Sequence, residues 1–101
     1  MVVDRRHLHP GGYVHGGAWT GFADTVAAWT TFANLPPEHD FTTVELKLNV
    51  FKAGHEGDVL EAEAVPLHVG RSTIVLEVRV TREEKRVAHM TLTQFVLPPR
   101  G

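Results

Sequence analysis

The sequence predicts an α+β fold in which one long helix packs against an antiparallel sheet. Three observations carry this. Residues 16–34 contain a single charged side chain, Asp24, and repeat apolar side chains at helical spacing. From Thr43 onward the pattern changes to period two, the signature of half-buried strands. The alternating runs are separated by short turn-forming clusters, which suit antiparallel neighbours.

Residues 1–6 read as a short strand or the remnant of one, and residues 7–12 as a loop turned by Pro10-Gly11-Gly12. The helix follows over residues 16–34. Trp19, Phe22, Val26, Trp29 and Ala33 recur at 3-4-3-4 spacing and form the expected core face, with both tryptophans inside. Asp24 falls nearly opposite, beside Thr20, Gly21, Ala27, Ala28 and Thr31. Small residues there, in place of Lys and Glu, imply a second dry contact, and a second copy of the chain is its simplest source. After a turn through Pro36, Pro37, Glu38 and His39, the residues Val44, Leu46, Leu48 and Val50 alternate with Glu45, Lys47 and Asn49. A break at residues 53–57 precedes a strand over 59–69, a turn at Gly70-Arg71, and a strand over 72–81 with Ile74, Leu76, Val78 and Val80 in phase. Arg82-Glu83-Glu84-Lys85 reads as a hairpin loop before the last strand, residues 87–97. The expected sheet is a meander of four or five strands.

The chain has 101 residues, enough for one domain and not two, so residues 1–101 are read as a single unit. A formal net charge of -2 argues against electrostatic capture of nucleic acid. With no cysteine there is no disulfide framework, thiol nucleophile or thiolate metal site. No leader or membrane-length apolar run stands out, which makes the cytoplasm the default compartment.

The chemistry concentrates at His15-Gly16-Gly17 and Asp24. A helix N-terminus offers unpaired N–H groups and the positive end of the helix dipole, which suit a developing oxyanion. Gly16 and Gly17 are either a tight helix entry or an opening to those N–H groups. A lone carboxylate on a dry helix loses water and must be hydrogen-bonded or carry a raised pKa, conditions that suit a catalytic base. His7, His9 and His15 lie close in sequence but lack the third or fourth converging ligand and the supporting acids of a metal site. His39, His55, His68 and His89 are scattered and read as surface or pocket-rim residues.

The ordered segments His9-Pro10-Gly11-Gly12-Tyr13-Val14-His15-Gly16-Gly17, Phe22-Ala23-Asp24-Thr25, the strand from Thr43 to Val50, Gly57-Asp58 and Val69-Gly70-Arg71-Ser72-Thr73 closely resemble the hotdog-fold thioesterases. The group most resembled is that of the phenylacetate-pathway and 4-hydroxybenzoyl-CoA thioesterases. The specific element is His-Gly-Gly with an acid nine residues after the His. The resemblance implies an antiparallel sheet wrapped around one long central helix, and hydrolysis of an acyl-CoA thioester. It implies that the Gly16 N–H binds the thioester carbonyl oxygen and that Asp24 is base or nucleophile. Thr43 falls where the family often has Ser or Thr near the attacking water; the alternative is an ordinary strand threonine. His9 stands where the family usually has Asn or Gln, a departure, although imidazole can still make one hydrogen bond. His15 joins this group chiefly as a brace for the helix entry. Gly17, Lys52, Arg71 and Arg100 are the candidates for contact with substrate, the three cations through coenzyme A phosphates.

The resemblance further implies a homodimer or dimer of dimers, with the acyl chain between subunits. It implies no metal or redox cofactor, coenzyme A being part of the substrate. The chain begins later than many such proteins, which carry an additional helix and strand. The competing reading is a non-catalytic acyl-CoA-binding module on the same fold. A dehydratase is a third, but its paired Asp and His, or His and Glu, are not found in the sequence. The acyl group, whether aryl, phenylacetyl or medium-chain, is not specified by these residues.

Overall fold

The computed structural model describes residues 1–99. A three-residue 3-10 turn, Arg5–His7, precedes the helix α1, Gly16–Ala33. Four strands follow: β1 Asp40–Val50, β2 Glu61–Val69, β3 Thr73–Arg82 and β4 Lys85–Leu97. All neighbours are antiparallel, and the sheet order is β1-β4-β3-β2. This is the hotdog arrangement the sequence led us to expect, with one correction to its topology. Strands β2, β3 and β4 form a meander, but β1 does not lie beside β2. It pairs with β4 at the opposite edge. The reason is the connection: residues 51–60 are too long for a tight turn and are pinned across the end of the sheet. Phe51 and Lys52 donate to the Val87 carbonyl, Gly57 to that of Val3 and Leu60 to that of Met1. The N-terminal segment contributes one isolated bridge, Val2 with Val59, in place of a fifth strand.

The helix is seated differently from the expected face. Its buried stripe is Trp19, Ala23, Ala27 and Thr31, against Ile74, Leu76, Val78 and Val80 of β3 and Met90 and Leu92 of β4. Phe22 packs at the margin. Trp29, expected in the core, is 74% exposed, and Ala33 is also exposed. Close approach of helix and sheet favours the small Ala23 and Ala27 at the contact; the larger aromatics at positions 29 and 32 face away. Ala27 and Thr31, assigned by periodicity to the face of Asp24, therefore lie in the core.

The helix packs over β2, β3 and β4 and leaves β1 largely uncovered. On β1, Leu46 and Val50 are exposed and Leu48 is partly buried against the core. Phe32 reaches β1 only at its start, with its ring edge-on to Phe41 at 5.0 Å. No described helix is long and apolar enough to cross a membrane.

Candidate active site

The helix entry is built by two loops. Residues 8–14 fold back on themselves through the Leu8–Val14 bridge, with His9 and Tyr13 paired through the backbone at 2.9 Å. The second loop, residues 51–60, supports the first: Val14 N–H donates to the Gly54 carbonyl at 2.9 Å. Gly54 is buried, and a Cβ there would meet Val14 at 2.7 Å and Trp19 at 3.0 Å, so only glycine allows this contact. Arg82 on β3 holds the second loop. Its Nη1 donates to Asp58 Oδ2 at 2.7 Å and to the Ala53 carbonyl at 3.0 Å. The backbone N–H of His55 and the Arg82 guanidinium hold the Asp58 carboxyl below the usual aspartate range. This clamp had no signal in the sequence beyond Gly57-Asp58.

His15 caps the helix. Its Nδ1 accepts from the Ala18 N–H at 3.0 Å, and its carbonyl takes the N–H groups of Ala18 and Trp19. The two glycines that follow have different tasks. A Cβ at Gly17 would meet His15 Nδ1 at 3.0 Å and Cε1 at 3.1 Å, so Gly17 makes room for the cap. A Cβ at Gly16 meets nothing within 4 Å. The Gly16 and Gly17 N–H groups have no acceptor among the described residues. Gly16 thus presents a helix-terminal donor to open space.

His7 and His9, like His15, use Nδ1 as an acceptor. His9 Nδ1 accepts from Gly11 N–H at 2.8 Å and His7 Nδ1 from Asp4 N–H at 2.9 Å. An accepting Nδ1 leaves the proton of the neutral ring on Nε2, so His9 and His15 offer N–H donors. The His9 ring is exposed and stands edge-on to Tyr13 at 5.7 Å.

Asp24 is only partly buried, and its carboxylate has no hydrogen bond or ion pair among the described residues. The dry, all-round burial expected for the helix is therefore not supplied by this chain alone. At about 100° per residue, Asp24 stands about 80° from the middle of the buried stripe, on the side of Thr31. Thr31 Oγ1 is linked to Gln94 Nε2 at 3.4 Å, and Gln94 Oε1 accepts from Thr43 Oγ1 at 2.6 Å. Asp24 stands on the Thr31 side of the stripe, about 10 Å nearer the helix N-terminus, and no hydrogen bond among the described residues joins it to the Thr31–Gln94–Thr43 chain. Gln94 is the functional candidate that sequence reading missed. Its signal was a polar residue in phase with Met90, Leu92 and Val96 on β4.

The cation candidates do not converge. Lys52 lies beside Arg82, Lys85 and Arg86 at the β3–β4 hairpin end. Arg71 is exposed in the turn at the other end of β3, on the order of 25–30 Å away by strand rise. One phosphate cannot touch both within a chain. Arg100 lies outside the described residues.

A four-stranded antiparallel sheet with one long helix laid across it is the architecture of the hotdog class. Residues 11–89 match the Thioesterase superfamily, and the chain belongs to that enzyme family. It is 38% identical over 92 residues to ComA2 of Bacillus subtilis (strain 168), a protein named as an esterase; the match covers 86% of this chain and 69% of that protein. Among solved structures it is similar to a hypothetical thioesterase of Streptococcus pneumoniae TIGR4 with coenzyme A, at 29% identity and a TM-score of 0.88, covering 100% of this chain and 80% of that one. That protein has also been solved with one threonine and with one aspartate changed to alanine. An asparagine-to-aspartate mutant of the phenylacetic acid degradation protein PaaI from Thermus thermophilus is 30% identical with a TM-score of 0.85, covering 93% of this chain and 78% of that one. The activity of the class is hydrolysis of acyl-CoA thioesters.

Proposed function

We propose that this chain, as a single cytoplasmic domain, hydrolyses an aryl-, phenylacetyl- or medium-chain acyl-CoA at sites shared between two subunits. The observation that carries the reading is the separation of donor and base. Gly16 and Asp24 are eight residues apart on α1, about 12 Å along its axis. A base and an oxyanion donor must both lie within a few ångströms of one carbonyl. Two α1 helices side by side and antiparallel bring Gly16 of one chain to Asp24 of the other, giving two equivalent sites. The exposed Gly21, Trp29 and Phe32 of α1 are the surface such a partner would cover.

In this arrangement the Gly16 N–H polarises the thioester carbonyl and stabilises the oxyanion. Asp24 takes a proton from water as the water oxygen attacks the carbonyl carbon. The C–S bond then breaks and the thiolate of coenzyme A receives that proton. Direct attack by Asp24, giving a mixed anhydride that water cleaves, uses the same geometry. Thr43 holds the attacking water, and His15 braces the Gly16 entry. The His9 Nε2–H supplies the hydrogen bond that an amide gives in the resembling enzymes. Gly17, Lys52, Arg71 and Arg100 remain the substrate contacts; Lys52 and Arg71 would serve different subunits or different parts of coenzyme A.

A screen of acyl-CoA thioesters with a thiol-detecting reagent tests the reading. Turnover is expected on at least one of the three acyl classes, and Asp24→Asn lowers it by about 10²–10⁴-fold, the range for loss of a general base. A folded Asp24→Asn protein with wild-type turnover overturns the assignment. The histidine at position 9 favours one alternative, a binding module, which would bind coenzyme A thioesters without releasing thiol.

A further inference from the structure

Strand β4 carries Gln94 with no exposed surface, at a position its neighbours fill with apolar side chains. A buried amide left without partners costs free energy, so its hydrogen bonds define what it does. They form a chain with one possible polarity. Thr31 Oγ1 donates to the Ala27 carbonyl at 2.8 Å, and a carbonyl can only accept. Its single proton is used there, so toward Gln94 the Thr31 hydroxyl can only accept. The group facing it at 3.4 Å must then be the Gln94 amide nitrogen. That turns Gln94 Oε1 to Thr43, and Thr43 must donate across the 2.6 Å contact. A bulge at Val44 holds Thr43 opposite Gln94.

We infer that Gln94 and Thr31 are positioning residues that fix the Thr43 hydroxyl as a hydrogen-bond acceptor toward the site. This rests on the reading of Thr43 as the residue holding the attacking water. With its own proton committed to Gln94, Thr43 accepts one hydrogen of that water. The water's other proton is left for the base, and its lone pair for the carbonyl carbon. Thr43 transfers no proton and does not serve the oxyanion. An unanchored hydroxyl would also present its proton to the water's lone pair, the wrong orientation for attack.

The test is a double-mutant cycle with a structural control. Gln94→Met keeps volume and removes the acceptor; Thr43→Val removes the hydroxyl. Each single change is expected to lower kcat about 10- to 100-fold, the cost of mispositioning, with KM little changed. The double variant should lose no more than the worse single one. Thr43→Ser should retain most of the activity, because it keeps the hydroxyl. Thr31→Val removes the anchor without touching Thr43 and should lower kcat in the same manner. Additive losses in folded variants, or full activity in Gln94→Met, overturn the inference. Full activity in Thr43→Val with a dead Asp24→Asn overturns the role of Thr43 while sparing the thioesterase reading. Independently of turnover, the Thr43 hydroxyl proton should be visible by NMR in slow exchange in the wild type and lost in Gln94→Met. Its absence from the wild-type spectrum also overturns the proposal, and this arm holds even if Gln94→Met folds poorly.

Discussion

Thr43 and Gln94 meet side chain to side chain at 2.6 Å between β1 and β4, and a bulge brings them together. Thr43 pairs with Gln94 and Glu45 with Thr93, so Val44 has no partner of its own. Strict alternation would put Val44 in phase with Leu46, Leu48 and Val50 and turn Thr43 outward with Glu45, Lys47 and Asn49. The extra residue reverses the phase for the start of β1, so Thr43 and Phe41 turn inward and Thr42 outward. Val44 is left 59% exposed, and the Thr43 hydroxyl is carried to the helix side of the sheet.

Gly16 and Gly17 should respond oppositely to substitution. Gly16→Val meets open space within the chain and should leave the thermal transition nearly unchanged. Its turnover should fall by about 10²–10³-fold, as for a lost oxyanion donor, because the valine side chain keeps the thioester carbonyl away from the N–H. Gly17→Ala pushes on the His15 ring and weakens the cap that Ala18 N–H makes with it. We expect a loss of about 1 kcal/mol, the usual value of an N-cap. Paired thermal unfolding and turnover measurements check both. A Gly16→Val protein that unfolds would make this glycine structural.

Shared sites predict complementation. Asp24→Asn and Gly16→Val are each expected to be inactive. Mixed after subunit exchange, some dimers hold one site with both an intact Asp24 and an intact Gly16. Activity should return, up to about a quarter of wild type for random mixing of two-fold dimers. Demonstrated exchange without recovery, or a fully active dilute monomer, contradicts the shared site.

The Asp58–Arg82 clamp has a defined pH signature. The folded-state pKa of Asp58 is lowered, first by the His55 N–H and then by Arg82. Its stabilisation is therefore fully present above the unfolded aspartate value of about 3.9 and is lost as pH falls through the lower folded value. Asp58→Asn should unfold at lower temperature than wild type at pH 7. The gap should close in acid, where both side chains are neutral. A gap that persists unchanged in acid would show that the charge is not what holds the loop.

The β3–β4 hairpin turns through Glu83 and Glu84, at φ of 51° and 65°. Two consecutive left-handed residues make a type I′ turn, which favours Asn-Gly and is costly for glutamate. Replacing them together, Glu83→Asn with Glu84→Gly, should raise stability by about 1–2 kcal/mol, since each non-glycine left-handed residue costs at least about 1 kcal/mol. The melting temperature reads this directly. Turnover at saturating substrate should be unchanged, because neither glutamate makes a hydrogen bond or ion pair to Gly16, Asp24 or Thr43 among the described residues.

The sequence by itself determined the elements and the chemistry on offer. Apolar spacing marked α1, alternation marked the strands, and Arg82 to Lys85 marked the hairpin, because each signal is local and has a period of its own. The Gly-Gly entry and the lone Asp24 were legible for the same reason. The seating of the helix was not. Size and spacing favoured Trp29 for the core, whereas close approach to the sheet selected Ala23, Ala27 and Thr31. The place of β1 beside β4 depended on a ten-residue crossing held by bonds to Val3, Val87 and Met1, which no local pattern encodes. The Thr31–Gln94–Thr43 chain joins residues up to 63 positions apart. Only tertiary structure could assemble it, since one unpaired residue in β1 decides which way Thr43 faces.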